Sequence, residues 1–233
     1  MGTTARIRPF LLTASIVGAV LLLAGWTPAD ACSADSILAL LEQKIESQVT
    51  IRVDYSKESH SLLFGDRPEE NGMLWLGPPR RYRVESGDQV IVRGADTLWT
   101  YSKGTKQVTI RTGGLDSLEF GPAGFFGSLR TDFVPVTCTV DEIEDKPFWR
   151  VRLVAKTETA AIQRLTLWVD QSSHWPGAAE YVDYNEETSR LRFGAYKTDQ
   201  AKDRQQFTFS PPSGTEVIVF PAKKNEREPD SGR

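Results

Sequence analysis

The 233-residue chain carries 28 Lys and Arg against 31 Asp and Glu, a formal net charge of −3 at pH 7, with 39% hydrophobic and 10% aromatic residues. This mildly acidic balance argues against nucleic acid or an anionic membrane surface as the main partner, since both select basic proteins. Two histidines and two cysteines leave almost no material for a histidine-based metal cluster or a Ser-His-Asp arrangement, so neither a metal nor a cofactor is expected.

The amino terminus reads as an export signal. Arg6 and Arg8 precede an uncharged apolar run from Phe10 to Trp26, and Ala29-Asp30-Ala31 supplies the small-x-small pattern of a cleavage site. The run is about 17 residues, short of the roughly 20 that span a bilayer, so cleavage after Ala31 is expected over a retained anchor. Removing residues 1–31 takes away two arginines and one aspartate and leaves 26 basic and 30 acidic residues. Cys32 follows the cut. Lipid modification there is the lesser reading, because Ala29 stands where a lipoprotein signal has Leu and Asp30 intrudes; the alternative is a disulfide with Cys138.

Residues 34–49 predict the one long helix. Ile37, Leu41 and Ile45 recur every four residues, and Ser33 and Asp35 are plausible caps. From residue 50 the period becomes alternating. Strands are predicted near 50–56, 60–65, 72–77, 80–85, 89–93, 97–101 and 106–111, with turn clusters such as Gly77-Pro78-Pro79 and Ser86-Gly87-Asp88 between them. The rhythm resumes near 136–143, 148–154, 162–170, 178–184, 190–197 and 206–209. Such spacing predicts an antiparallel meander. Between the two sets, residues 118–129 are rich in glycine and phenylalanine and read either as a short core helix or as an apolar flap. The charged stretch 222–233 predicts a disordered tail. The expected organisation is a signal peptide (1–31), one domain (32–221) and this tail.

Catalytic constellations are scarce. The chain has no P-loop, dinucleotide fingerprint or Cys-x-x-Cys motif. The acidic cluster Asp141, Glu142, Glu144 and Asp145 lacks the spacing of a calcium loop. A carboxylate pair drawn from distant positions, acting on a lipid or glycan, stays open, but an enzyme is not the expected reading. The surplus is aromatic: Trp75, Tyr82, Trp99, Tyr101, Trp149, Trp168, Tyr181, Tyr184 and Phe193 fall on predicted strands. Tyr82 and Val84 share a face, as do Trp99 and Tyr101. They fit either an apolar ligand pocket on a curved sheet or an ordinary sandwich core.

Three stretches carry a resemblance. Gly72-Met73-Leu74-Trp75-Leu76-Gly77-Pro78-Pro79 leads into Tyr82-Arg83-Val84. Gly94-Ala95-Asp96-Thr97-Leu98-Trp99-Thr100-Tyr101 is followed by Gln107-Val108, and Phe207-Thr208-Phe209-Ser210-Pro211-Pro212-Ser213-Gly214 closes the series. In order and spacing they resemble the LolA family of periplasmic outer-membrane lipoprotein carriers over about residues 34–220. The resemblance implies an unclosed half-barrel, mostly β, whose concave apolar face lies under a helical lid. It also implies a periplasmic monomer whose partners are acylated lipoproteins, an inner-membrane lipoprotein-releasing transporter and an outer-membrane receptor.

By position, Tyr82, Val84 and Ile91 match cavity residues, while Phe125, Phe126 and Leu129 fall where the family has lid residues. With the strand aromatics Trp75, Trp99 and Tyr101, these nine are the expected lipid-cavity set. The family commonly has a basic pair before the proline turn that latches the lid. Here Gly77 and Pro78 occupy those positions, and Arg80, Arg81 and Arg83 are the candidate replacements. The alternative to a free carrier is a lipid-anchored receptor or sensor of the same fold, tethered through Cys32.

Overall fold

Ser33 caps the long helix α1 (Ala34–Glu46): its hydroxyl accepts from the Ser36 amide, and Asp35 sits in the positive first turn. The four-residue apolar repeat becomes one buried stripe of Ile37, Leu38, Leu41 and Ile45. The computed structural model describes residues 32–47, 50–113, 126, 129–199 and 204–220. The expected signal segment 1–31 and the tail 222–233 lie outside the described residues.

After α1 come β1 (Thr50–Ser61), the two-residue β2 (Gly65–Asp66), β3 (Glu70–Gly77), β4 (Arg81–Ser86), β5 (Gln89–Arg93), β6 (Thr97–Ser102) and β7 (Gln107–Thr112). A helical turn, α2 (Leu129–Asp132), leads into β8 (Phe133–Ile143), β9 (Lys146–Ala155), β10 (Ile162–Asp170), β11 (Pro176–Asp183) and β12 (Thr188–Phe193). The chain closes with β13 (Lys197–Asp199), a 3₁₀ turn (Arg204–Phe207) and β14 (Glu216–Phe220).

All the strands join one sheet, ordered β14-β7-β6-β5-β4-β3-β1-β12-β11-β10-β9-β8, with β2 and β13 also pairing β1. It is two antiparallel meanders hinged on β1, which pairs β3 on one side and β12 on the other. The sheet is curved and unclosed, with β8 and β14 as its ends, as the half-barrel expectation required.

Two expectations need correction. Residues 50–56 and 60–65 are not separate strands. β1 runs unbroken to Ser61, because Ile51, Val53, Tyr55, Ser59 and Ser61 are buried at alternate positions with only the half-buried Lys57 between them, and the turn comes only at residues 62–64. Residues 206–209 are not a strand either: Phe207 ends the 3₁₀ turn, and the true last strand, β14, pairs parallel to β7, with Val217 opposite Val108. β14 escapes a burial pattern because Val217, Val219 and Phe220 are all exposed; backbone pairing at the edge makes it a strand.

Apolar clusters lie on both faces of the first meander. The inner face packs on α1, Phe126 and Leu129 in a single apolar cluster. On the outer face Val90, Val92, Tyr101 and Val108 form a second, smaller cluster, with Trp99, Ile110 and Phe209 against it. Hence Val90, Ile91 and Val92 are all buried in succession, a run that faces two covers.

Candidate functional site

The inner face is built from alternate residues of β1, β3, β4 and β5. Ile51, Val53 and Tyr55 line up beside Leu74 and Leu76, then Tyr82 and Val84, then Ile91. The ladder sets them side by side: Val53 pairs with Leu74, Leu74 with Val84, and Val84 with Ile91. The second meander adds Val151, Leu153, Leu165, Leu167 and Leu191. At roughly 1.5–3 kcal/mol per large aliphatic side chain, such a face requires a cover.

The cover has a fixed part and a lighter one. Cys32, two residues before α1, is joined to Cys138 of β8, with Cα atoms 5.4 Å apart, well within disulfide reach. At the other end of α1, Lys44 Nζ donates to the Ser173 carbonyl at 2.5 Å and lies 4.5 Å from the centre of the Trp175 ring. Burial lowers the Lys44 pKa. The helix is thus tied to the second meander at both ends.

The lighter part is Phe126 and Leu129, with 1% and 0% of their surface exposed. Phe126 meets Phe193 edge-on at 5.6 Å. Polar links around α2 hold this plug. The Arg130 amide donates to Glu42 Oε1 at 2.9 Å, the Lys156 amide donates to the Asp132 carbonyl at 2.9 Å, and Arg80 Nη2 donates to Thr131 Oγ1 at 3.3 Å. Arg80 follows the Pro78-Pro79 turn and takes a positive φ of 49°, which turns its side chain towards α2.

Close packing also fixes the inner wall. A Cβ on Gly72 would lie 2.5 Å from the Tyr55 ring, so the ring rests on bare backbone. Burial is the main cause that raises the Tyr55 pKa to about 12, while its hydrogen bond with Ser86 works in the other direction. Ser59 and Ser189 satisfy each other in the interior at 2.9 Å.

Of the nine expected cavity residues, Tyr82, Val84, Ile91, Phe126 and Leu129 come together on or against the inner face. Phe125 lies outside the described residues. Trp75, Trp99 and Tyr101 are on the outer face, apart from those five. Trp75 sits opposite Arg52 and Arg83 in register and within 6.0 Å of both guanidinium carbons. Tyr101 packs against Phe209 at 5.3 Å, in the cluster that also holds Trp99. Among the candidate latch arginines, Arg80 alone is bonded to α2. Arg83 bonds Glu85 at 2.7 Å and the Gln206 carbonyl at 3.5 Å, and Arg81, opposite Gly77, follows the same alternation. Sequence reasoning missed Leu74, Leu76, Glu42 and Lys156. Leu74 and Leu76 could have been found from the period of two that places Tyr82 and Val84.

Residues 37–210 match the family described as outer membrane lipoprotein carrier protein LolA. An outer-membrane lipoprotein carrier protein of Alkalilimnicola ehrlichii is 30% identical over 174 residues, covering 70% of this chain and 75% of that protein. A carrier of the same description from Methylibium petroleiphilum is 26% identical over 158 residues, covering 66% and 74%. The fold is shared with the crystal structure of an uncharacterized conserved protein from Thermus thermophilus, at a TM-score of 0.52 and 15% identity over 80% of this chain and 99% of that one. With an unclosed sheet under a helical cover and a family match over most of its length, this chain belongs to the LolA family of outer-membrane lipoprotein carrier proteins.

Proposed function

We propose that this chain is a periplasmic carrier that holds the acyl chains of lipoproteins against its inner sheet face and moves them from an inner-membrane releasing transporter to an outer-membrane receptor. The observation that carries this reading is the asymmetry of the cover. α1 is tied down at both ends, one of them by a covalent bond, whereas among the described residues the plug of Phe126 and Leu129 is held by polar links around α2 and by packing. Moving the plug alone would open part of the apolar inner face beside Phe193.

An acyl chain gains roughly 0.8 kcal/mol for each CH₂ it buries. A bound chain therefore replaces the contacts that the plug gives up, and release follows when the next site buries the chain better. In this scheme the protein binds and does not catalyse. The anchored-receptor alternative needs the Cys32 sulfur for a lipid thioether, and a sulfur in a disulfide with Cys138 is not available for that bond.

The test is binding of a fluorescent fatty-acid probe by the purified protein. Ile91→Glu places a carboxylate on the inner face and should abolish binding. Trp75→Glu, on the outer face between two arginines, should bind as the parent does. Equal binding by both variants would refute the inner-face reading.

A further inference from the structure

The turn between β1 and β2 exposes Leu62, Leu63 and Phe64 at 76%, 85% and 79% of their surface. A single exposed apolar side chain is ordinary, but three large ones in succession at a hairpin tip are not. The tip is also internally bonded. The buried Ser61 hydroxyl accepts from the Leu63 and Phe64 amides at 3.3 and 3.4 Å, and the Arg67 amide donates to the Ser59 carbonyl at 2.9 Å. Gly65, at φ +73°, closes the turn.

The polar side chains beside the tip have partners. Asp66 lies 2.7 Å from His60, and Arg67 lies 2.8 Å from Glu187. The second pair ties the hairpin to the β11–β12 turn, which carries Tyr184 at 67% exposure.

We infer that this rim is a membrane contact, with Leu62, Leu63 and Phe64 inserting into the acyl boundary of a lipid bilayer. Hydrocarbon penalises unsatisfied amides and unpaired charges, and this tip presents apolar side chains with two of its amides already accepted by Ser61 and with Asp66 and Arg67 each held by a partner side chain. A narrow convex tip suits shallow insertion and offers too little area for a stable protein interface, which buries on the order of 1,000 Å² or more. Because the chain is net acidic, insertion and not attraction to anionic lipid drives the contact. The inference rests on the tip alone and holds whether or not the inner face carries acyl chains.

The test is co-sedimentation of the cargo-free protein with phosphatidylcholine vesicles and with phosphatidylethanolamine–phosphatidylglycerol vesicles, at low and high salt. The parent should bind both kinds with little effect of salt. Leu63→Asp and Phe64→Asp, each made separately and checked for unchanged circular dichroism, should weaken binding at least roughly tenfold. Absence of binding to either vesicle, parental binding by both variants, or binding confined to anionic vesicles and lost in salt would each overturn the inference. Self-association that is abolished by the variants, without vesicle binding, would assign the tip to a protein contact and overturn it equally.

Discussion

Arg80 Nη2 lies 3.3 Å from Thr131 Oγ1 and so joins the β3–β4 turn to the helical turn that carries Leu129. An exposed hydrogen bond of this kind contributes about 1 kcal/mol, a factor of roughly five in an opening equilibrium. Arg80→Ala should therefore speed hydrogen exchange at the amides of residues 129–132 by about that factor. Arg83→Ala should leave those amides unchanged, since Arg83 bonds Glu85 and Gln206 instead.

The Cys32–Cys138 bond closes a loop with a sequence separation of 106. For loops of about that length, chain-entropy arguments give roughly 4–5 kcal/mol. Cys138→Ser should lower the midpoint of urea unfolding by a corresponding amount, and reduction of the parent should reproduce it. If the parent and Cys138→Ser unfold at the same urea concentration, the bond contributes nothing to holding α1 on the sheet.

Gly72 lies under the Tyr55 ring, and a methyl there would meet ring carbons at 2.5 Å. Gly72→Ala should destabilise the fold by about 1–3 kcal/mol, as over-packing of a filled interior does. Tyr55→Leu in the same chain should recover part of that loss, which the coupling term of a double-mutant cycle would measure.

Tyr55 also sets a pH dependence. Burial favours the neutral phenol and raises its pKa from 10.0 to about 12; Tyr196, whose hydroxyl donates to the Pro176 carbonyl, is raised well above 10 for the same reason. A group whose folded pKa is raised contributes stability that is fully present below the unfolded value and lost as pH climbs through the folded one. Stability should therefore fall between about pH 10 and 12, and tyrosinate absorbance should show Tyr55 and Tyr196 titrating only with unfolding.

The strand rhythm, the single long helix and the face shared by Tyr82 and Val84 were all legible from period and turn chemistry. Which face lies inside was not. Trp75, Trp99 and Tyr101 look like cavity residues because a buried outer face has the same apolar alternation as a buried inner one, and Val90-Ile91-Val92 shows the two superposed. The resemblance singled out Tyr82, Val84 and Ile91, which lie together in the inner-face cluster, where alternation alone could only group them. The links around α2 were illegible for another reason: Glu42, Arg80 and Lys156 lie far apart in sequence, and only the fold brings them to one helical turn.

The most direct test of the acyl-carrier reading is mass spectrometry of the protein purified from periplasm without detergent, searching for co-purifying acylated lipoprotein. Acylated cargo should accompany the parent and Trp75→Glu and be missing from folded Tyr82→Glu. Cargo retained by Tyr82→Glu, or lacking from the parent, would contradict it.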